Sequence, residues 1–188
     1  MLKDVNILLG VTGGIAAYKV VDLAGKLTAA GAHVRTVMTK SACRLVGPKS
    51  FEAVTCAPVY TSLWRNPQSH EMAHISLADW AQLVVIAPAS ANIIGKVANG
   101  ICDDLLSTTL CTCWATPTLF VPAMNTRMWE NPAVQRSVER LREMGIRLLG
   151  PVPGRLACGT EGLGRLAEPP EILAALAALA AETIHKPE

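Results

Sequence analysis

Aromatic side chains are scarce in this chain of 188 residues: two Phe, two Tyr and four Trp, 4% in all. A protein that stacks nucleobases on aromatic platforms is therefore not expected. Charge is sparse too, at 17%, and nearly balanced, with 17 basic against 15 acidic residues and a net charge of +2. The basic residues are scattered, which argues against nucleic acid or an anionic membrane surface as partner. No apolar run reaches the ~18 residues needed to cross a bilayer. Met1-Leu2-Lys3-Asp4 leads straight into a short apolar run at Val5 to Gly10, without the length or cleavage site of a secretory signal. The expected location is the cytoplasm. The six cysteines, at 43, 56, 102, 111, 113 and 158, are then read as thiols. Cys111-Thr112-Cys113 has neither the spacing nor the second ligand pair of a zinc site. Most of these thiols are expected to be buried packing groups, Cys158 excepted. No Gly-x-Gly-x-x-Gly fingerprint and no Walker lysine motif is present, so dinucleotides and nucleoside triphosphates lose their usual sequence marks.

What the chain has in excess is apolar content, 51%. That suits an Ala-rich α/β domain whose surface is partly covered by partner subunits. Short apolar runs at Val5 to Gly10 and Leu83 to Ala87, an alternating run at His33 to Met38, and the segments Thr118 to Val121 and Ile146 to Leu149 read as strands. Helical spacing marks Ile15 to Ala30, stopped by Gly31, and then Ser41 to Val46, Pro48 to Val54, Ser90 to Asn99 and Asp103 to Trp114. It continues in Asn131 to Met144 and Pro170 to Ile184. Strand and helix alternate throughout. The expected fold is a doubly wound, Rossmann- or flavodoxin-like, mostly parallel sheet with helices on both faces, formed by residues 1–188 as one domain. Ligands in such folds bind beyond the carboxyl ends of the strands.

Four segments follow predicted strands and carry chemistry-bearing residues. Val11-Thr-Gly-Gly-Ile-Ala-Ala-Tyr-Lys19 pairs two glycines with a helix start, a geometry that accepts a phosphate or simply makes a tight turn. In Ala87-Pro-Ala-Ser-Ala-Asn92, Ser90 is placed to cap a helix or to bind a phosphate oxygen. Two such turns on one sheet edge favour a ligand. In Pro122-Ala-Met-Asn-Thr-Arg-Met-Trp129 the residue types alone favour packing, with Asn125 presented at a turn. Pro153 to Arg165 carries glycines at 154, 159, 162 and 164, one thiol and two arginines. It reads as a mobile loop that closes over a substrate or as a plain surface loop. His74 is a single loop histidine, suited to proton transfer but with no partner in the sequence. His33, His70 and His185 show no constellation.

From Val5 to about Pro170 the chain resembles the homo-oligomeric flavin-containing cysteine decarboxylases. The resemblance rests on Pro122-Ala-Met-Asn125 with Met128-Trp129 and on Ala157-Cys-Gly-Thr-Glu-Gly-Leu-Gly-Arg165. Thr12-Gly-Gly-Ile-Ala-Ala17 and Pro88-Ala-Ser-Ala-Asn92 add to it. Within that family it resembles the members that decarboxylate 4'-phosphopantothenoylcysteine in coenzyme A biosynthesis. The resemblance implies FMN in a crevice lined by Gly13, Gly14, Ile15, Thr39, Lys40, Ser90, Ala91, Asn92 and Ala123. It implies His74 and Cys158 as catalytic residues and Asn125 at the substrate carboxylate. Met128, Ala157, Gly159 and Arg165 are implied as further substrate contacts, on a flap at about 153–166. It also implies trimers or assemblies built on them, with no metal, nucleic acid or membrane partner. In the family's chemistry the cysteine side chain is oxidised to a thioaldehyde, carbon dioxide leaves to give an enethiolate, and electrons and a proton then return. Cys158 is suited to give that proton, since a thiol with an ordinary pKa of ~8.5 is largely protonated at neutral pH. Many bacterial members carry a second, synthetase domain. This chain ends at Glu188, which fits a stand-alone enzyme or a piece of the longer protein. A peptidyl-cysteine decarboxylase and a non-catalytic flavin-binding regulator are the alternatives of the same fold.

Overall fold

The computed structural model describes residues 2–64 and 72–184. Along the chain they form β1 (Asn6–Val11), α1 (Ala17–Ala29), β2 (His33–Met38), α2 (Lys40–Cys43), α3 (Pro48–Thr55), β3 (Val59–Tyr60) and α4 (Ala73–Trp80). There follow β4 (Leu83–Ala89), α5 (Ala91–Ala98), α6 (Leu105–Thr112), β5 (Thr118–Pro122), α7 (Thr126–Trp129), α8 (Pro132–Glu143) and β6 (Arg147–Leu148). The last elements are β7 (Val152–Arg155), β8 (Glu161–Arg165) and α9 (Pro169–Thr183). One sheet has the order β3-β2-β1-β4-β5-β6, parallel at every pair. The chain winds outward from β1 in one direction and from β4 in the other. Their carboxyl ends therefore flank the crevice where a doubly wound sheet places its ligands.

Side-chain alternation along the central strands feeds two apolar layers. Ile7, Leu9 and Val11 of β1, with Leu83, Val85 and Ala87 of β4, point to the layer built from α1, α3 and α9. Leu8, Val84 and Ile86 point to the layer built from α4, α5, α6 and α8. Both faces are covered, which is why β4 and β5 are buried along their whole length and read as unbroken apolar runs. In α1 the buried positions Ala17, Val20, Leu23, Ala24 and Leu27 recur every three or four residues, the stripe of a helix lying on a sheet.

The regular elements follow the sequence pattern to within one to three residues at each end. Four features depart from it. Val59–Tyr60 adds a short edge strand, and Thr126–Trp129 a single helical turn capped by Asn125. His74 lies on helix α4 rather than in a loop: Ala73, Leu77 and Ala78 are its buried stripe, and the exposed apolar Ile75 between them blurs the period. The glycine-rich segment is no loose loop. It folds as a two-stranded antiparallel hairpin, β7 with β8.

Between the two ligand-side turns lies one buried hydroxyl. Thr12, 1% exposed, donates through Oγ1 to the Pro88 carbonyl at 2.5 Å and accepts from the Ser90 N–H at 3.1 Å. This one side chain ties the turn after β1 to the turn after β4. Thr12→Val keeps the shape and orphans both groups, at a cost of about 1–3 kcal/mol. The check is the denaturant midpoint, with Thr12→Ser expected near wild type. Equal midpoints for all three proteins would show that the bridge contributes nothing.

Candidate active site

Beyond the carboxyl ends of β1, β4 and β5 opens a cavity of about 600 Å³. Its floor is the turn Gly13-Gly14-Ile15-Ala16. A Cβ at Gly13 would lie 2.4 Å from Ser41 Cβ, so only glycine lets the backbone pass there. The turn leads into α1, whose N-cap Ala16 has no side chain able to cap it. The N-terminus of α5 is likewise uncapped, because the Ser90 hydroxyl makes no capping hydrogen bond. Two helix starts without side-chain caps, each with its positive dipole end, thus line one cavity, with the Ser90 hydroxyl beside them. This donor set fits the phosphate of a flavin mononucleotide, and Ile15, Tyr18, Ala123 and Met124 supply apolar wall for a ring system.

Asn125 stands opposite. Its Oδ1 accepts from the Arg127 N–H at 2.9 Å, capping α7. That bond fixes the amide, and Nδ2 is turned toward Cys158 Sγ at 3.5 Å. Cys158 sits at the tip of the β7–β8 hairpin, where its Sγ lies 3.1 Å from Thr160 Oγ1. The Thr160 hydroxyl and backbone, and then the Asn125 amide, favour the thiolate and hold the Cys158 pKa below the ordinary thiol value.

The hairpin is docked through its backbone. Met124 N–H donates to the Gly164 carbonyl at 3.0 Å. A Cβ at Gly164 would fall 2.1 Å from the Met124 carbonyl oxygen, and one at Gly162 2.3 Å from Thr126 Oγ1. Side chains are excluded on that face, and the flap lies directly on the Asn125 turn. Behind it, Glu168 takes Lys19 at 3.0 Å and Arg165 at 3.4 Å.

The cavity therefore gathers Gly13, Gly14, Ile15, Ser90, Ala91, Ala123, Asn125, Met128, Ala157, Cys158 and Arg165 from the sequence-derived set. Five others stay outside its wall. Thr39 spends its hydroxyl capping α2 through the Ala42 N–H at 3.2 Å, and exposed Lys40 follows it. Asn92 is exposed one residue into α5, and Gly159 lies in the hairpin turn. His74 is on α4, its Nδ1 buried without a hydrogen-bond partner among the described residues. Sequence reasoning passed over Lys19, Arg155 and the small-residue wall. Of these only the arginine, inside the glycine-rich segment, carried a usable signal. His70 and His185 lie outside the described residues.

The thiol expectation needs correction. Of the six cysteines only Cys113 is buried, and burial pushes its thiol up to about 11. Cys111 falls on the outer side of α6, where positions 106, 109, 110 and 113 take the inner one, and Cys102 precedes the helix in an exposed segment. Both rim a second cavity of about 350 Å³, which reaches Thr118 at the amino end of β5.

A profile of the Flavoprotein family matches residues 1–181. The chain belongs to that family. It is 48% identical over 173 residues to the coenzyme A biosynthesis bifunctional protein CoaBC of Bacillus subtilis, covering 92% of this chain and 42% of that protein. The chain thus spans less than half the length of such relatives. Among solved structures it is similar to a mutant PPC decarboxylase complexed with pantothenoylaminoethenethiol, at TM-score 0.81 and 36% identity, covering 94% of this chain and 98% of that one. It is also similar to the FMN-dependent cysteine decarboxylase SpaF, at TM-score 0.80 and 39% identity, covering 96% and 100%. Among the described residues no helix is long and apolar enough to cross a membrane.

The Cys158 environment sets a pH response. A lowered pKa means that this thiol loses its proton at lower pH than an ordinary cysteine. Thr160→Val removes the leading stabiliser of the thiolate, so the pKa rises. The midpoint of the Cys158 alkylation rate against pH, followed by peptide mass spectrometry with iodoacetamide, is expected to move upward. A midpoint that stays or falls contradicts the assigned hydrogen bond.

Proposed function

We propose that this chain is the FMN-dependent decarboxylase that converts 4'-phosphopantothenoylcysteine to 4'-phosphopantetheine in coenzyme A biosynthesis. It acts in the cytoplasm as a homo-oligomer built on trimers. The observation that carries the reading is one cavity joining an anion-binding double turn to an oriented amide and an acidified thiol. Similarity to CoaBC proteins, and to a PPC decarboxylase complexed with an enethiol, supports it.

An amino-acid carboxylate does not leave unaided, because no electron sink adjoins it. FMN, when bound, supplies that sink by taking and returning two electrons at the substrate's thiol-bearing carbon. The N-terminal ends of α1 and α5, with the Ser90 hydroxyl, would hold its phosphate. The Asn125 Nδ2 donates to the departing carboxylate, its direction preset by the bond to Arg127 N–H. Cys158 gives a proton to carbon after carbon dioxide has left, and the Thr160 hydroxyl steadies the thiolate that remains. The docked hairpin sets the Cys158 thiol beside the Asn125 amide.

Cys158→Ser tests the assignment. Serine keeps the shape but is a far weaker acid. Carbon dioxide is expected to leave still, and mass spectrometry to find a product two hydrogens short of phosphopantetheine. Full conversion to phosphopantetheine would remove the proton-donor role. Wild-type protein that takes up no FMN, followed by visible absorbance, and releases no carbon dioxide would overturn the whole reading.

His74 enters through a second copy of the chain in this reading. Its chain neighbours Met72 and Ile75 are exposed apolar side chains, and the cavity mouth presents exposed Ile15, Tyr18 and Met128. Joining two such surfaces buries both and brings His74 of one subunit to the Asn125 of the next. His74→Asn and Asn125→Asp are each expected to be inactive. In a ring trimer containing both variants one interface of three is unaltered, so doubly tagged mixed oligomers are expected to regain about a third of wild-type turnover. Mixed oligomers as inactive as their parents would place His74 elsewhere.

A further inference from the structure

The charged side chains that line the cavity are Lys19, Arg155 and Arg165, all basic. Two of the three are already engaged, since Glu168 holds both Lys19 and Arg165. Arg155 forms no ion pair among the described residues. Glu161 faces it across the hairpin register, yet neither pairs with it nor lines the cavity. An exposed guanidinium thus stands at the flap end of the cavity with its charge uncompensated. The helix N-termini that suit the cofactor's phosphate belong to the glycine-turn end. We propose that Arg155 receives the phosphate monoester of the substrate and thereby selects a phosphorylated pantothenoyl chain over an unphosphorylated one or a peptide. The proposal rests on the decarboxylase reading of this site and adds the residue that sets its specificity.

Chemistry and reach both fit. A guanidinium presents a rigid fork of N–H donors matched to phosphate oxygens, and charge-assisted bonds of this kind are stronger than neutral ones. The substrate carries two anionic groups at its two ends. The carboxylate belongs at the Asn125 and Cys158 end, where proton delivery occurs. Arg155 precedes Cys158 by three residues, up to about 10 Å of chain, and its own side chain extends that distance. The pantothenoyl arm separates carboxylate from phosphate on a comparable scale. Both anchors sit on the same hairpin, so phosphate bound at Arg155 also holds the thiol of Cys158 in register with the reacting carbon.

The test compares kcat/KM for 4'-phosphopantothenoylcysteine and for pantothenoylcysteine in FMN-loaded wild type, Arg155→Gln and Arg155→Lys. For Arg155→Gln the phosphorylated substrate is expected to lose about 10- to 100-fold, mostly as a rise in KM, while the unphosphorylated one changes little. Arg155→Lys is expected to recover part of the loss. Flavin absorbance is expected to be unchanged, and its loss would assign Arg155 to the cofactor's phosphate instead and overturn the proposal. Equal losses on both substrates, or none, would overturn it as well. Calorimetric binding of phosphopantetheine against pantetheine gives a readout without turnover. If neither substrate is decarboxylated but phosphate-selective binding still depends on Arg155, the reaction reading fails and the phosphate site stands. If turnover is intact and the selectivity does not depend on Arg155, only the phosphate site fails.

Discussion

The Thr12 hydroxyl bridges the two turns that follow the paired strands β1 and β4. It gives its proton to the Pro88 carbonyl and takes the Ser90 N–H, so the starts of α1 and α5 converge at one point. Each helix start alone is a common feature that a side-chain cap would neutralise. Two uncapped starts aimed at the same place make a cradle for a doubly charged group. The rest of the site is built outward from it: Gly13 and Gly14 keep the floor low, β5 delivers Asn125 from the next strand, and the hairpin closes over the top.

Much of the scaffold was legible because both faces of the sheet are covered. Leu83 to Ala87 and Leu119 to Val121 have to be apolar throughout, and those runs are visible without a structure. The hairpin was not legible, for a physical reason. Strand alternation is carried by side chains, and Gly154, Gly162 and Gly164 have none to show it. The same bareness that lets β8 lie against Met124 removes the signal that β8 is a strand. The α4 helix was hidden in a similar way, since Ala73-His-Ile-Ser-Leu77 carries its buried stripe on small residues.

The site was legible in part. Glycine turns, Ser90, Asn125 and Cys158 stand in short motifs that follow strands, where α/β chemistry collects. The Thr12 bridge had no mark, because a threonine after a strand is ordinary and its two partners are 76 and 78 residues away. Arg155 was marked only as one of two arginines in a glycine-rich segment: what sets it apart is that Glu168 holds the other two cations. Cys111 misled, since a thiol within an apolar helical stretch gives no sign of which side it occupies.

The hairpin's manner of attachment has a consequence for how such a site can diversify. β8 is held by main-chain contact at Met124–Gly164 and by missing side chains at 162 and 164. Those positions form a fixed socket. The cavity-lining positions 155, 157 and 165 of the same hairpin are free of that duty. A combinatorial library confined to them would vary what lies over the reacting carbon while leaving the socket and the thiol undisturbed. New substrate preferences would then be sought by rewriting a handful of codons on one ribbon instead of reshaping the sheet beneath it.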